Sequence, residues 1–256
     1  MIPIIELTDV TKTYHSKGKS VLAVKDVTLP VQQSSFTTFI GPSGCGKSTL
    51  LKIIAGIALP YGGQLRYKGR EITSINTNIG FVTQDSNLFP WLTLIENVEL
   101  ALRIRGLSKV QRAEIAQKYI AMMQLTGFEN HYPFELSGGM QKRGSIIRTL
   151  IYDPETILMD EPFGPLDAQT RLVLQDELLR IWDQNKKTIL FVTHDLIEAI
   201  ALSDKVVVFT GRPGTVKRIF DVPLARPRNV FEIHNERGFT DLYHEIWEYF
   251  KNEIKI

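Results

Sequence analysis

The sequence predicts an α/β fold, a mostly parallel β-sheet covered by helices. Short β-branched runs alternate along the chain with segments of helical periodicity. One such run, residues 35–40, passes directly into a glycine-rich turn and then into a helical pattern. The chain is 256 residues long, 43% apolar and 23% charged, enough to bury a full core without metal or disulfide staples.

Taken in order, residues 4–10, 21–29 and 35–40 read as strands, 47–56 as a helix, and 64–68 and 79–83 as further strands. From 87 to about 152 the texture is helical. Thr93 with Glu96 three residues later makes a capping box, with Gly106 as a stop; Ser108 with Gln111 repeats it, ending near Gly127. Alternation then resumes with a strand at 157–159, a helix at 168–182, and strands at 188–193 and 206–209. Near the end, Phe239, Leu242, Tyr243, Ile246, Trp247 and Phe250 recur at helical spacing. Asp241, Glu245 and Glu248 oppose them, the pattern of a packing face and not a membrane anchor.

A net charge of +2 implies no general affinity for nucleic acid. The single cysteine, Cys45, excludes an internal disulfide framework and a Cys-rich zinc site. No apolar run approaches the roughly 18 residues of a spanning helix, and residues 1–10 carry acids where a signal peptide carries basic residues. These features predict a soluble, intracellular protein.

The strongest motif is Gly41-Pro42-Ser43-Gly44-Cys45-Gly46-Lys47-Ser48-Thr49, a complete phosphate loop between a strand and a helix. Glycines let the backbone curl so that successive N–H groups face one centre, and the helix adds its positive end. Lys47 is then placed to meet the β- and γ-phosphates and the Ser48 hydroxyl to ligate Mg²⁺. The metal needs a carboxylate, and residues 156–159 form a buried-strand pattern ending in Asp160-Glu161-Pro162. Asp160 is the expected Mg²⁺ partner. Glu161, one residue further on, is expected to orient and polarise the attacking water.

Leu136-Ser137-Gly138-Gly139-Met140-Gln141 opens another helix and makes a second anion holder from backbone N–H groups, a hydroxyl and a dipole. Only the first holder has its own lysine and metal acids, so the second is read as completing the pocket of another copy. Phosphate loop, Gln84, Leu136 to Gln141, the acidic strand end, Leu166-Asp167 and Thr193-His194-Asp195 follow the order of the ATP-binding-cassette (ABC) transporter ATPase, which the chain resembles from Tyr14 to at least Asp195. The resemblance implies a P-loop NTPase, RecA-like core with an antiparallel β subdomain and an α-helical insertion. It implies one domain over 1–256, with 1–86 and 153–256 as core and 87–152 as helical subdomain.

The resemblance also assigns roles. Tyr14 resembles the aromatic residue that stacks on adenine. Gln84 resembles the glutamine that senses Mg²⁺ and faces the membrane partner. Ser137, Gly138, Gly139 and Gln141 resemble the signature that grips the γ-phosphate of the opposite subunit; Asp167 resembles the residue that crosses the dimer interface, and His194 the switch histidine. Each is also compatible with packing, a surface turn or an interior histidine when read alone. Leu88-Phe89-Pro90-Trp91-Leu92-Thr93, residues 162–171, Arg212-Pro213-Gly214 and Arg226-Pro227-Arg228 are together similar to the nitrate/sulfonate/taurine importers, without the regulatory domain of many sugar and polyamine relatives. Pro165 and the run Arg143-Gly144-Ser145 depart from that group, Gly144 at a helix-propensity cost of roughly 1 kcal/mol.

The expectation is therefore an ATP- and Mg²⁺-dependent motor. It works as a homodimer on the cytoplasmic face of the cell (inner) membrane, with a separate permease and, indirectly, a substrate-binding protein. Its cargo is not legible here. A soluble ABC ATPase of DNA repair or translation and a phosphate-loop kinase are the other classes considered; the kinase leaves Leu136 to Gln141 and His194 without work. Two local questions stay open: whether Phe89 and Trp91 dock a partner or fill the core, and whether Cys45 is a reactive thiol or an inert small residue of the turn.

Overall fold

The computed structural model describes residues 3–16, 18–251 and 253; residues 1, 2 and 254–256 of the expected 1–256 unit lie outside these, as do 17 and 252. Two sheets carry the chain. The first is antiparallel, in the order β2-β1-β4-β5, from β1 (Ile5–Ser16), β2 (Lys19–Val31), β4 (Gly62–Tyr67) and β5 (Arg70–Glu71). The second has six strands in the order β10-β9-β3-β8-β7-β6, from β3 (Phe36–Ile40), β6 (Ile79–Val82), β7 (Thr156–Asp160), β8 (Thr188–Val192), β9 (Lys205–Phe209) and β10 (Val216–Asp221). It is parallel except for β10, which pairs antiparallel at one edge. Strands β3, β7 and β8 are buried along their whole length, as strands covered on both faces must be.

The helices are α1 (Lys47–Ile54), α2 (Leu94–Ile104), α3 (Lys109–Met122), α4 (Gly138–Leu150), α5 (Ala168–Asn185), α6 (Leu196–Leu202) and α7 (Phe239–Lys251). One apolar cluster lies between the two sheets and α1, joining Ile5, Leu7, Val27 and Leu65 to Phe39, Leu50, Leu51 and Phe209. A second joins α2, α3 and α4 to α5 and the strands beneath, through Val98, Ile120, Ile147, Met159 and Trp182. Around α6 and α7, Phe239, Leu242, Ile246 and Phe250 complete a third, while Trp247 stands on the exposed flank of that stripe.

Both capping boxes form, at Thr93/Glu96 and at Ser108/Gln111. Several limits differ from those read in the sequence. Strand β1 runs on to Ser16 because its register shifts after Leu7, with Asp9 at φ 50°, so the alternation breaks while the ladder continues. Helix α3 stops at Met122, well before Gly127: Gln124 takes φ 53°, and Arg143 Nη1 donates to the Met123 carbonyl at 3.0 Å. The seven-residue α6 and the polar edge strand β10 are additional elements.

Candidate active site

Parallel pairing brings the carboxyl ends of β3, β6, β7 and β8 to one edge of the sheet, where ligands bind in such folds. Strand β3 feeds the turn from Gly41 to Gly46, and α1 begins at Lys47. Gly46 sits at φ 104°, and a Cβ there would lie 2.6 Å from the Ala23 carbonyl oxygen, so only glycine fits. Lys47 is buried, its ammonium turned onto the carbonyl oxygens of Gly41 (2.7 Å) and Pro42 (3.0 Å). Above the turn is a cavity of about 520 Å³, lined by Tyr14, Val21, Ala23, Ser43, Gly44, Gly46, Lys47, Ser48, Thr49, Gln84, Glu161, His194 and Arg212.

Asp160 closes β7 and is buried; Ser48 Oγ donates to its Oδ1 at 2.9 Å. Burial raises its pKa above the ordinary carboxylate value, the Ser48 bond opposes that, and the neighbouring Glu161 charge adds to it. Glu161 is held at φ 43°, a left-handed conformation unusual for a non-glycine residue, while its N–H donates to the Val192 carbonyl at 3.0 Å. That geometry aims its carboxylate toward the carboxyl end of β8, where His194 Nδ1 stands 3.5 Å from Glu161 Oε2. The His194 loop is ordered by its own side chains: Asp195 N–H donates to Thr193 Oγ1 at 3.0 Å, and Asp195 caps α6 by accepting from Ile197 and Glu198.

The structure thus brings together Tyr14, Ser43, Gly44, Gly46, Lys47, Ser48, Thr49, Gln84, Glu161 and His194, with Asp160 directly behind Ser48. Gly41, Pro42 and Cys45 are not on the cavity wall. The first two supply the carbonyls that hold Lys47, and Cys45 is 1% exposed with its Sγ 3.7 Å from Lys47 Nζ. Burial decides between the two readings of Cys45: it packs inside the turn and presents no accessible thiol.

The second anion holder lies apart from the cavity. Ser137 caps α4, accepting from Met140 N–H at 3.3 Å, and Gly138 has open space where a Cβ would stand. Gln141 departs from expectation. Its amide nitrogen donates to Pro133 (2.8 Å) and Leu136 (3.1 Å) and its oxygen accepts from Ser86, so the side chain is spent within its own chain. Asp167 is exposed and caps α5; the bond from Thr170 N–H at 2.9 Å holds its carboxyl below the usual range. Phe89 and Trp91 pack with tilted rings, centroids 5.3 Å apart, on the surface, with Trp91 69% exposed, which rules out the core reading of that tryptophan.

Sequence reading missed three residues beside the site. Lys142 is 1% exposed and donates to the carbonyl oxygens of Thr83 and Gln84, tying α4 to the loop after β6; burial pushes its pKa down to about 8. Glu198 is buried behind His194, and Arg212 reaches the cavity wall from the β9–β10 turn. Only burial could have marked the first two. Arg212 was visible solely as part of an Arg-Pro-Gly triplet.

Comparison with known proteins is consistent with this geometry. A family model described as ABC transporter matches residues 24–164. An uncharacterised ABC transporter ATP-binding protein of Methanocaldococcus jannaschii is 46% identical over 250 residues, covering 98% of this chain and 92% of that protein. The aliphatic sulfonates import ATP-binding protein SsuB of a Bacillus cereus strain is 38% identical over 247 residues, 96% of each chain. Among solved structures, the dimeric post-hydrolysis state of the ATP-binding cassette MJ0796 bound to ADP and Pi superposes with a TM-score of 0.79 at 33% identity, over 85% of this chain and 98% of that one.

Proposed function

The chain belongs to the ABC transporter family and is an ATP-binding, ATP-hydrolysing subunit of it, and from that premise we propose that it is the motor of an importer for a small oxyanionic solute of the sulfonate, nitrate or taurine type. The cavity joining Lys47, Gln84, Glu161 and His194 carries this reading. The cargo class rests on the 38% identity to a sulfonate-import subunit. No helix among the described residues is long and apolar enough to cross a membrane. In this reading a separate permease spans it, the chain sits on its cytoplasmic face, and a substrate-binding protein delivers the solute. The division into a core (1–86 and 153–256) and a helical subdomain (87–152) belongs to the same reading, as does a homodimer in which Ser137, Gly138 and Gly139 of one copy face the cavity of the other and Asp167 lies at the shared surface.

Within the cavity, Lys47 leaves its carbonyl partners to bind β- and γ-phosphate oxygens, while Tyr14 stacks on the base. Glu161 accepts a proton from the attacking water, and His194, 3.5 Å from that carboxylate, holds the γ-phosphate end. Ser48, Asp160 and Gln84 form an all-oxygen donor set, and Ser48 and Asp160 are already in contact, a composition that suits Mg²⁺. When bound, the metal neutralises phosphate charge.

Two variants test the proposal together. Glu161→Gln should bind ATP nearly as the wild type does while turnover falls at least about a hundredfold. Trp91→Ala should hydrolyse ATP normally as the isolated subunit yet fail to co-purify with the permease or to support uptake of a labelled alkanesulfonate. Near-normal turnover of the first removes Glu161 from the role of base. Normal co-purification and uptake with the second removes Trp91 from the docking surface.

A further inference from the structure

The turn between β9 and β10 is pinned against the phosphate loop and delivers a cation to it. Thr210 N–H donates to the Thr215 carbonyl at 3.1 Å, and Thr215 N–H returns to Thr210 Oγ1 at 3.0 Å. Gly214 bridges to β2 opposite Val24: its N–H donates to the Ala23 carbonyl at 3.0 Å, and its carbonyl accepts from Lys25 N–H at 3.0 Å. A Cβ on Gly214 would lie 2.0 Å from the carbonyl oxygen of Cys45, so the turn touches the backbone of the phosphate loop itself. On its other side, Gly211 N–H donates to Glu253 Oε2 at 2.8 Å, and Lys217 holds the same carboxylate at 2.6 Å.

Arg212 stands at the head of this braced turn. Its Nε donates to the Gly44 carbonyl at 3.0 Å, and its guanidinium forms part of the cavity wall. Gly44, at φ 74°, lies close beneath it: a Cβ there would stand 3.1 Å from Arg212 Nη2. The terminal nitrogens of Arg212 make no ion pair and no hydrogen bond among the described residues. One N–H of five thus orients the group, and four remain in the planar fork that matches phosphate oxygens. The other lining cation, Lys47, is buried and occupied by two carbonyls. Arg212 is the exposed, permanently charged group on the wall.

We propose that Arg212 is a second phosphate-gripping cation of the nucleotide site, supplied by the β9–β10 turn and aimed by Gly44. The proposal rests on the reading that the phosphate loop binds a nucleoside triphosphate. Bracing of the loop by the Nε bond alone is the competing role, and a ligand series separates the two. Equilibrium binding of ATP, ADP and adenosine is measured without divalent metal for the wild type, Arg212→Ala, Arg212→Lys and Lys47→Ala, with thermal unfolding of each free protein. The expected result is that Arg212→Ala weakens ATP and ADP by about tenfold, leaves adenosine unchanged, reduces the salt dependence of ATP binding, and unfolds at the wild-type temperature. Arg212→Lys should keep the salt dependence and recover only part of the affinity. ATP binding within twofold of wild type in Arg212→Ala overturns the proposal. So does an equal loss for all three ligands with a lower unfolding temperature, which assigns Arg212 to bracing. If Lys47→Ala binds ATP as well as wild type does, the phosphate-loop reading itself fails, whatever Arg212 does.

Discussion

Glu198 is 6% exposed and accepts a hydrogen bond from Gln175 Nε2 at 2.7 Å, on the helix that follows the His194 loop. Burial pushes its carboxyl up to about 7; hydrogen bonds from Thr193 and Gln175 oppose the rise, the Asp195 charge adds to it, and Arg171 counters it. The folded carboxyl therefore keeps its proton over a range in which the unfolded chain, with an ordinary value of 4.5, has released it. The native state binds more protons there, so this residue lowers stability as pH rises from 4.5 to about 7. Glu198→Gln keeps the acceptor for Gln175 and removes the buried charge. Its unfolding midpoint should exceed the wild type by several degrees at pH 8, at about 2–4 °C per kcal/mol for a chain of this size, and the gain should vanish below pH 4.5. A difference independent of pH would assign the effect to packing. Nothing in the sequence marks Glu198 as buried, whereas Glu161 and Asp160 were readable because a strand pattern ends on them.

At the scale of elements, the sheet does the positioning, and short or polar elements were the hardest to read. In α6 the run Leu-Ile-Glu-Ala-Ile-Ala-Leu is buried at nearly every position, which erases the one-sided periodicity that marks a surface helix. In β10 only Phe220 is buried, so no alternation announces a strand. Both are held by one side chain. Arg228 Nη1 donates to Ile200 (3.1 Å), Ala201 (3.2 Å) and Ser203 (2.7 Å) at the end of α6, and Nη2 to Val222 (3.3 Å) and Leu224 (3.1 Å) after β10. Burial lowers its pKa to about 10, which leaves it charged near neutrality. Arg228→Met keeps the apolar stem and strands these acceptors. It should cost at least about 2 kcal/mol, a midpoint lower by about 4–8 °C, with ATP affinity unchanged because Arg228 is not on the cavity wall. An unchanged midpoint would mean that water replaces the guanidinium. Gly144, which reads as a weakness of α4 from propensity alone, has a reason in packing: a Cβ there would lie 2.8 Å from Leu94 Cδ1 of α2.

For the whole molecule, the telling feature is that the two anion holders of one chain do not meet. The cavity includes none of Ser137, Gly138 or Gly139, although Ser137 is exposed at the start of α4. In the proposed head-to-tail homodimer each holder would meet the other copy's cavity. Lys47→Ala in one copy and Ser137→Arg in its partner then leave one pocket with both lesions and one with neither. Two inactive homodimers should therefore regain measurable ATPase activity on mixing. Absence of recovery at every mixing ratio would count against a working composite pocket.

The sequence by itself determined the fold class, the phosphate loop, the acidic strand end and the capped helices, because each is a local pattern whose chemistry depends on neighbours a few residues away. Tyr14, Gln84 and His194 became legible only through their order relative to that loop; parallel pairing places Gln84 and His194 beside it, while Tyr14 reaches the same cavity from the antiparallel strand β1. Tertiary structure alone decided that Cys45 is enclosed, that Gln141 is spent internally, that Trp91 faces outward, and that Lys142, Glu198 and Arg212 flank the site. Those outcomes turn on which atoms meet across the chain: Arg212 lies 168 residues from Gly44, and no local pattern encodes the 3.0 Å between them.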